Sequence, residues 1–349
     1  MIRLLTILAL LTACGDDDGP MLMDSGPGFD GGPGFDGGPT PDVGLGDMDA
    51  GPGFDAGPPS GFVDPACTDG MYTETLPNPA ADISDITFDG DIGAFVDGIL
   101  DRRYPVGAAL VRGGRMNMSF SQDCDVLFAG TPRTGDDIHR SLNTIVHECG
   151  HIYDFFLSSG SSSTYYITEE LSLTCQRGDT TSRGGDTFER SLLTSDSFQP
   201  ARPPGNGRGL DSYADVYLIG RGSEQGFSIL FEEAVQYVNS LATEFAFADQ
   251  MPPGQSTSAR DGILTFTWYV LRYLKIAREE YPSAYARITN DCWRDAILQW
   301  WGRTWLYLET TEGMPSLGID DEALYDLATD PVLLAEIQRL RELEGCAAR

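Results

Sequence analysis

The pentapeptide His147-Glu148-Cys149-Gly150-His151 sets two imidazoles four residues apart, with a carboxylate directly after the first. On an α-helix those rings differ by about 40° in direction and about 6 Å along the axis, so both can turn onto one tetrahedral cation. Zn2+ accepts that donor set, and a carboxylate at position 148 lies within reach of a water on the ion. The chemistry open to such a trio is hydrolysis: the metal acidifies the water, and Glu148 takes its proton as general base.

That chemistry needs a rigid element. Leu142, Ile145, Val146, Cys149, Ile152, Tyr153 and Phe156 recur at three- and four-residue steps, which predicts a helix over 137–158 with one buried face. Asp136 or Asp137 is placed to cap its start and Gly160 to end it. Cys149 falls on the apolar face and is expected to be buried and reduced.

A catalytic zinc site takes three protein ligands and keeps one position for water. His139, the only other histidine, precedes His147 by eight residues, about 12 Å along a continuous helix and too far to share the ion. No histidine follows His151, so a carboxylate is required. The apolar pattern over 227–247 predicts a second helix carrying Glu232 and Glu233. Glu233 is preferred as third ligand because Tyr237 stands one turn beyond it on the same side; Glu232 and Glu170 are the alternatives. Asp154, one turn past His151, is placed to accept a hydrogen bond from a ligand imidazole and fix its tautomer.

Residues 147–151 match the HExxH motif of zinc metallopeptidases. The chain departs from the metzincin pattern HExxHxxGxxH, with Asp154 at the Gly position and Leu157 at the last His, and so resembles the Glu-ligand gluzincins. Glu170 follows His151 at the spacing of the aminopeptidase-type gluzincins. Residues 147–154 together resemble the HExGHxxD segment of the anthrax-lethal-factor-like zinc peptidases. In that family a Ser-Tyr-Gly stretch precedes the helix bearing the third ligand; here Ser212-Tyr213-Ala214 precedes Phe231-Glu232-Glu233-Ala234. The resemblance implies Zn2+ as cofactor, a peptide or protein as substrate, and Tyr213 as a catalytic aid that steadies the negative charge on the scissile carbonyl.

The expected fold is α+β and zincin-like. Short strand-like runs at 106–112 and 126–129 suggest a small mixed sheet before the HExxH helix, together with a helix around 92–102. The C-terminal half reads as mostly helical, over 226–248, 260–280, 292–309 and 320–344. Trp300, Trp301 and Trp305 share a helix face with Ile297 and Leu308, the pattern of aromatics packing a core.

The N-terminus speaks to location. Arg3, a short apolar run and Leu11-Thr12-Ala13-Cys14 resemble the signal peptide and lipobox of bacterial lipoproteins. That resemblance implies removal of residues 1–13, a lipid on Cys14, and an exported protein anchored in the cell envelope, periplasmic or at the surface. Residues 14–65 read as a disordered tether: Gly-Pro-Gly-Phe-Asp occurs three times, and 15–65 hold eleven aspartates with no Lys, Arg or Glu. Such a composition lacks the apolar surface to offset its ordering entropy. A chain of this length spans roughly 40 Å.

The catalytic domain is then 66–349. Of the net charge of −30, the tether carries eleven negative charges and Arg3 one positive, leaving −20 on the domain. That balance excludes nucleic acid as a partner and leaves membrane attachment to the lipid. Six cysteines besides Cys14 suit an oxidising compartment. A reading of a different class is a surface-binding lipoprotein whose zinc site is structural or degenerate.

Overall fold

The computed structural model describes residues 61–117, 122–177, 217 and 226–346. Cys14, the expected signal peptide, nearly all of the tether and Tyr213 lie outside the described residues. The described part is mostly helical with one small antiparallel sheet.

Helix α1 (Ile92–Arg103) starts at Asp91, whose carboxylate accepts the Ala94 N–H. Helix α2 (Pro105–Arg115) begins on Pro105, whose missing N–H falls in the first turn where no partner is needed. Helix α3 (Cys124–Ala129) is a single short segment. The two runs expected as strands, 106–112 and 126–129, are therefore helical. In α2 the residues Gly107, Leu110, Val111 and Gly114 are buried, a three-four step that a short apolar run does not distinguish from strand alternation.

Helix α4 (Gly135–Leu157) carries the two histidines. Its cap is Thr134, not Asp136 or Asp137: the Thr134 hydroxyl accepts the Asp137 N–H while the Asp137 carboxylate returns to the Thr134 N–H. The helix ends at Ser158, ahead of Gly160. α2 lies on α4 through a pair of glycines. A Cβ on Gly113 would stand 2.3 Å from the Tyr153 ring, and one on Gly114 would stand 2.7 Å from the Cys149 carbonyl. Only bare backbone permits that approach.

The sheet comes after α4, not before it. Strands β1 (Ser162–Thr168) and β2 (Leu171–Gln176) form a hairpin with Ser163 opposite Cys175 and Tyr165 opposite Leu173. β1 is buried along its whole length, packed on α4 and the next helix.

Helix α5 (Phe227–Ala246) crosses α4 at Gly150, where a Cβ would meet Gln236 Oε1 at 2.1 Å. It is backed by α6 (Ala259–Glu280) and, after α7 (Pro282–Ile288), by α8 (Asp291–Thr310). Trp300 on α8 donates its indole N–H to the Ala234 carbonyl at 3.0 Å, and Trp300, Trp301 and Trp305 are buried as expected. The helix expected over 320–344 is two, α9 (Asp321–Ala328) and α10 (Pro331–Glu344), divided at Asp330-Pro331. Proline starts α10 because its ring would clash inside a continuous helix.

Among the described residues, three disulfides link the six cysteines. Cys67–Cys346 joins the two ends of the described domain, Cys175–Cys292 ties β2 to α8, and Cys124–Cys149 ties α3 to α4. Cys149 is buried, but it is not reduced. The apolar face that hides it also brings it against α3, with Cα atoms of residues 124 and 149 only 5.5 Å apart, within disulfide range.

Candidate metal centre

His147 and His151 leave α4 on one side and meet α5, which brings Glu233 to them. The three side chains are buried and form the one group among the described residues that could hold a metal ion. His151 Nε2 lies 2.9 Å from His147 Nε2, and Glu233 Oε2 lies 3.4 Å from the first and 3.7 Å from the second. Ligand bonds near 2.1 Å at tetrahedral angles put donor atoms about 3.4 Å apart. The triangle has that size.

The other ring nitrogens are also engaged. His147 Nδ1 lies 2.9 Å from Ser240 Oγ, and His151 Nδ1 meets the carboxylate of Glu232. With Nδ1 carrying the proton in each ring, both Nε2 lone pairs face the triangle. Glu232 thus sits behind an imidazole rather than at the triangle. Asp154 does not touch an imidazole as expected: its oxygens accept the Tyr166 N–H at 2.7 Å and the Gln236 amide at 2.9 Å. Three residues past His151, its carboxylate turns to β1 and α5, and the imidazole contact falls to Glu232.

Glu170 is not part of the group. It stands exposed at the hairpin turn, where Thr168 Oγ1 donates to its carboxylate. A helix returning after eighteen residues could bring it back; seven residues of extended β1 carry it roughly 20 Å away from its start instead. His139 packs between Phe95 and Phe247, apart from the group as its spacing required. Glu148 is buried on α4 beside the first histidine.

Tyr217 was not singled out in the sequence. Its hydroxyl lies 3.3 Å from Glu233 Oε2 and 3.3 Å from the Tyr237 hydroxyl, and the Tyr237 ring packs edge-on against His147. Tyr217 stands four residues after Tyr213, the tyrosine that resemblance points to and that lies outside the described residues. Ser240 was missed as well. It belongs to a polar stripe of Glu232, Glu233, Gln236, Asn239, Ser240 and Thr243, all buried in a helix whose remaining buried residues are apolar apart from Ser228. Buried polar groups at helical spacing ask for partners, and that stripe is readable from sequence.

No family model, curated protein or solved structure matches the chain. What the site can do is set by its own side chains.

Two imidazoles and a carboxylate are the donor set that Zn2+ takes in open, catalytic sites. Electrostatics agree with a cation. Four carboxyls, Glu148, Asp154, Glu232 and Glu233, are buried close to two imidazoles, and carboxylates removed from water are costly unless a positive charge offsets them. Burial first, and then the charge of His151, push the His147 ring down to about 4. It is therefore neutral at pH 7, the form that binds metal. Burial, followed by the neighbouring charge of Glu232, raises Asp154 well above the usual carboxylate range.

Proposed function

We propose that this chain is a zinc-dependent hydrolase that cleaves peptide bonds, exported as a lipoprotein and held in the cell envelope through Cys14. The observation that carries the enzymatic reading is the triangle of His147 Nε2, His151 Nε2 and Glu233 Oε2, sized for one tetrahedral ion. Zn2+ there would supply an acidified water, with a pKa of about 7, and a positive charge facing the scissile carbonyl.

The chain's own residues do the rest. Ser240 and Glu232 orient the two imidazoles. Glu148 takes the proton of the attacking water and passes it to the leaving amine. Tyr217, whose hydroxyl reaches the ligand carboxylate, would donate a hydrogen bond to charge developing on the substrate oxygen, a part that resemblance gives to Tyr213.

The test is metal analysis of the wild type and of Glu148→Gln, together with hydrolysis of a casein-type substrate. Bound zinc in both, with hydrolysis lost in the variant, is the expected result. Zinc without turnover in the wild type across a broad peptide library would favour a binding protein with a structural site.

A further inference from the structure

Ala234, Val235, Val238 and Ala242 are buried apolar residues of α5, and apolar packing is non-directional and does not by itself choose a register. Yet the site tolerates little slippage. Glu232 must reach His151 Nδ1, Glu233 must face both Nε2 atoms, and Ser240 must reach His147 Nδ1. A slip of one residue along α5 turns each of these side chains by about 100° and shifts it about 1.5 Å.

Gln236 lies between them, one turn beyond Glu232 and Glu233 and one turn before Ser240. It sits on the bare backbone of Gly150, where a Cβ would meet its Oε1. It is also a link in a buried chain of hydrogen bonds. Arg303 Nη2 donates to the Tyr104 hydroxyl (3.3 Å), and that hydroxyl donates to Asn239 Oδ1 (3.0 Å). Asn239 Nδ2 donates to Gln236 Oε1 (2.9 Å), and Gln236 Nε2 donates to Asp154 Oδ2 (2.9 Å). Asp154 Oδ1 accepts the Tyr166 N–H from β1. The far end is fastened by the buried ion pair of Arg303 with Glu74, at 2.8 Å. With Asp154 ionised, every link has one direction: turning the Gln236 amide over would set oxygen against the Asp154 carboxylate and N–H against the N–H of Asn239.

We propose that Gln236 is a positioning residue for the metal centre: its amide, held between Asn239 and Asp154 over Gly150, fixes the register of α5 on α4 and so delivers the Glu233 carboxylate to the two imidazoles. Buried polar contacts serve this registry role in other helix pairings. The proposal rests on the metal reading of the site.

A swap of donor and acceptor tests it. Gln236→Glu sets a carboxylate against a carboxylate, and Asp154→Asn sets an amide N–H against an amide N–H. The double variant restores all the bonds with the net charge unchanged: residue 154 as Asn donates Nδ2 to residue 236 as Glu, and still accepts from Tyr166. The readouts are the zinc dissociation constant, from competition with a chromophoric chelator, and the visible absorption of Co2+-loaded protein, which reports geometry at the ion.

Each single variant should bind zinc about 10–100-fold more weakly, with an altered Co2+ spectrum. The double variant should return to within about threefold of the wild type and recover its spectrum. A single variant too unstable to purify counts as support only if the swap restores both fold and zinc. Single variants with wild-type affinity and spectrum, or a swap no better than they are, would overturn the positioning role while leaving the metal reading intact. A wild type that takes up no zinc would overturn both.

Discussion

Cys149 stands between the two histidines of the motif, and its bond to Cys124 yields a quantitative expectation. The perturbation is Cys124→Ala with Cys149→Ala. The bond closes a loop over a sequence separation of 25 residues. In the chain-entropy model, a loop of that length restricts the unfolded chain by about 12 cal/mol/K, or about 3.5 kcal/mol at 25 °C. Both sulfurs are buried, so their loss adds a smaller packing term of the same sign.

The assay is denaturant unfolding of the zinc-free domain followed by near-UV circular dichroism, with zinc titration in parallel. Stability should fall by about 3.5 kcal/mol, equivalent to about 6 °C in thermal midpoint for a domain spanning 66–349. Because the constraint acts on the unfolded chain, zinc affinity of the folded variant should move by less than about threefold. A loss of stability below about 1 kcal/mol would refute the entropic argument. Unchanged stability with collapsed zinc affinity would show instead that the bond shapes the native helix.

Other outcomes follow from the site's geometry. Glu232→Gln should weaken zinc about 10–100-fold while still binding one equivalent at saturation, since Glu232 orients His151 and lies off the triangle; titration against Glu233→Gln checks this, and an equal loss in both would give Glu232 a ligand's role. Tyr217→Phe should keep its zinc and lose about 100–1000-fold in kcat, measured on whichever peptide the wild type cleaves; an unchanged kcat removes Tyr217 from the chemistry. In zinc-free protein, His147 is held down to about 4 against 6.5 for an ordinary histidine. The unfolded chain therefore takes up a proton that the fold refuses, and this group's contribution, complete above about pH 6.5, is lost as pH falls toward 4. The swing is about 3 kcal/mol, read as the difference between stability–pH curves of the wild type and His147→Gln.

How much of this was legible in the sequence depended on periodicity. α4, α5, α6 and α8 are long and amphipathic, so their three-four patterns survive any choice of boundary, and the meeting of the two histidines follows from one helix alone. The preference for Glu233 came from its side of α5 relative to Tyr237, and the structure places that carboxylate, not Glu232, against both Nε2 atoms. Short segments behaved differently. The runs at 106–112 and 126–129 are too brief for apolar spacing to separate strand from helix, and the helical answer depends on Gly113 and Gly114 lying against Tyr153 and Cys149, a tertiary fact. The state of Cys149 was missed for the same reason. Burial on an apolar face says nothing about which cysteine waits on the other side. The break in the last helix, in contrast, was available in Asp330-Pro331.

The central claim is that one ion is held jointly by α4 and α5. The most direct measurement is zinc content per chain after dialysis, for the wild type, for His147→Ala with His151→Ala, and for Glu233→Ala. One equivalent in the wild type, none in the histidine double variant, and a strongly reduced content in Glu233→Ala is the predicted result. A wild type free of zinc, or zinc that stays after both histidines are gone, would contradict it.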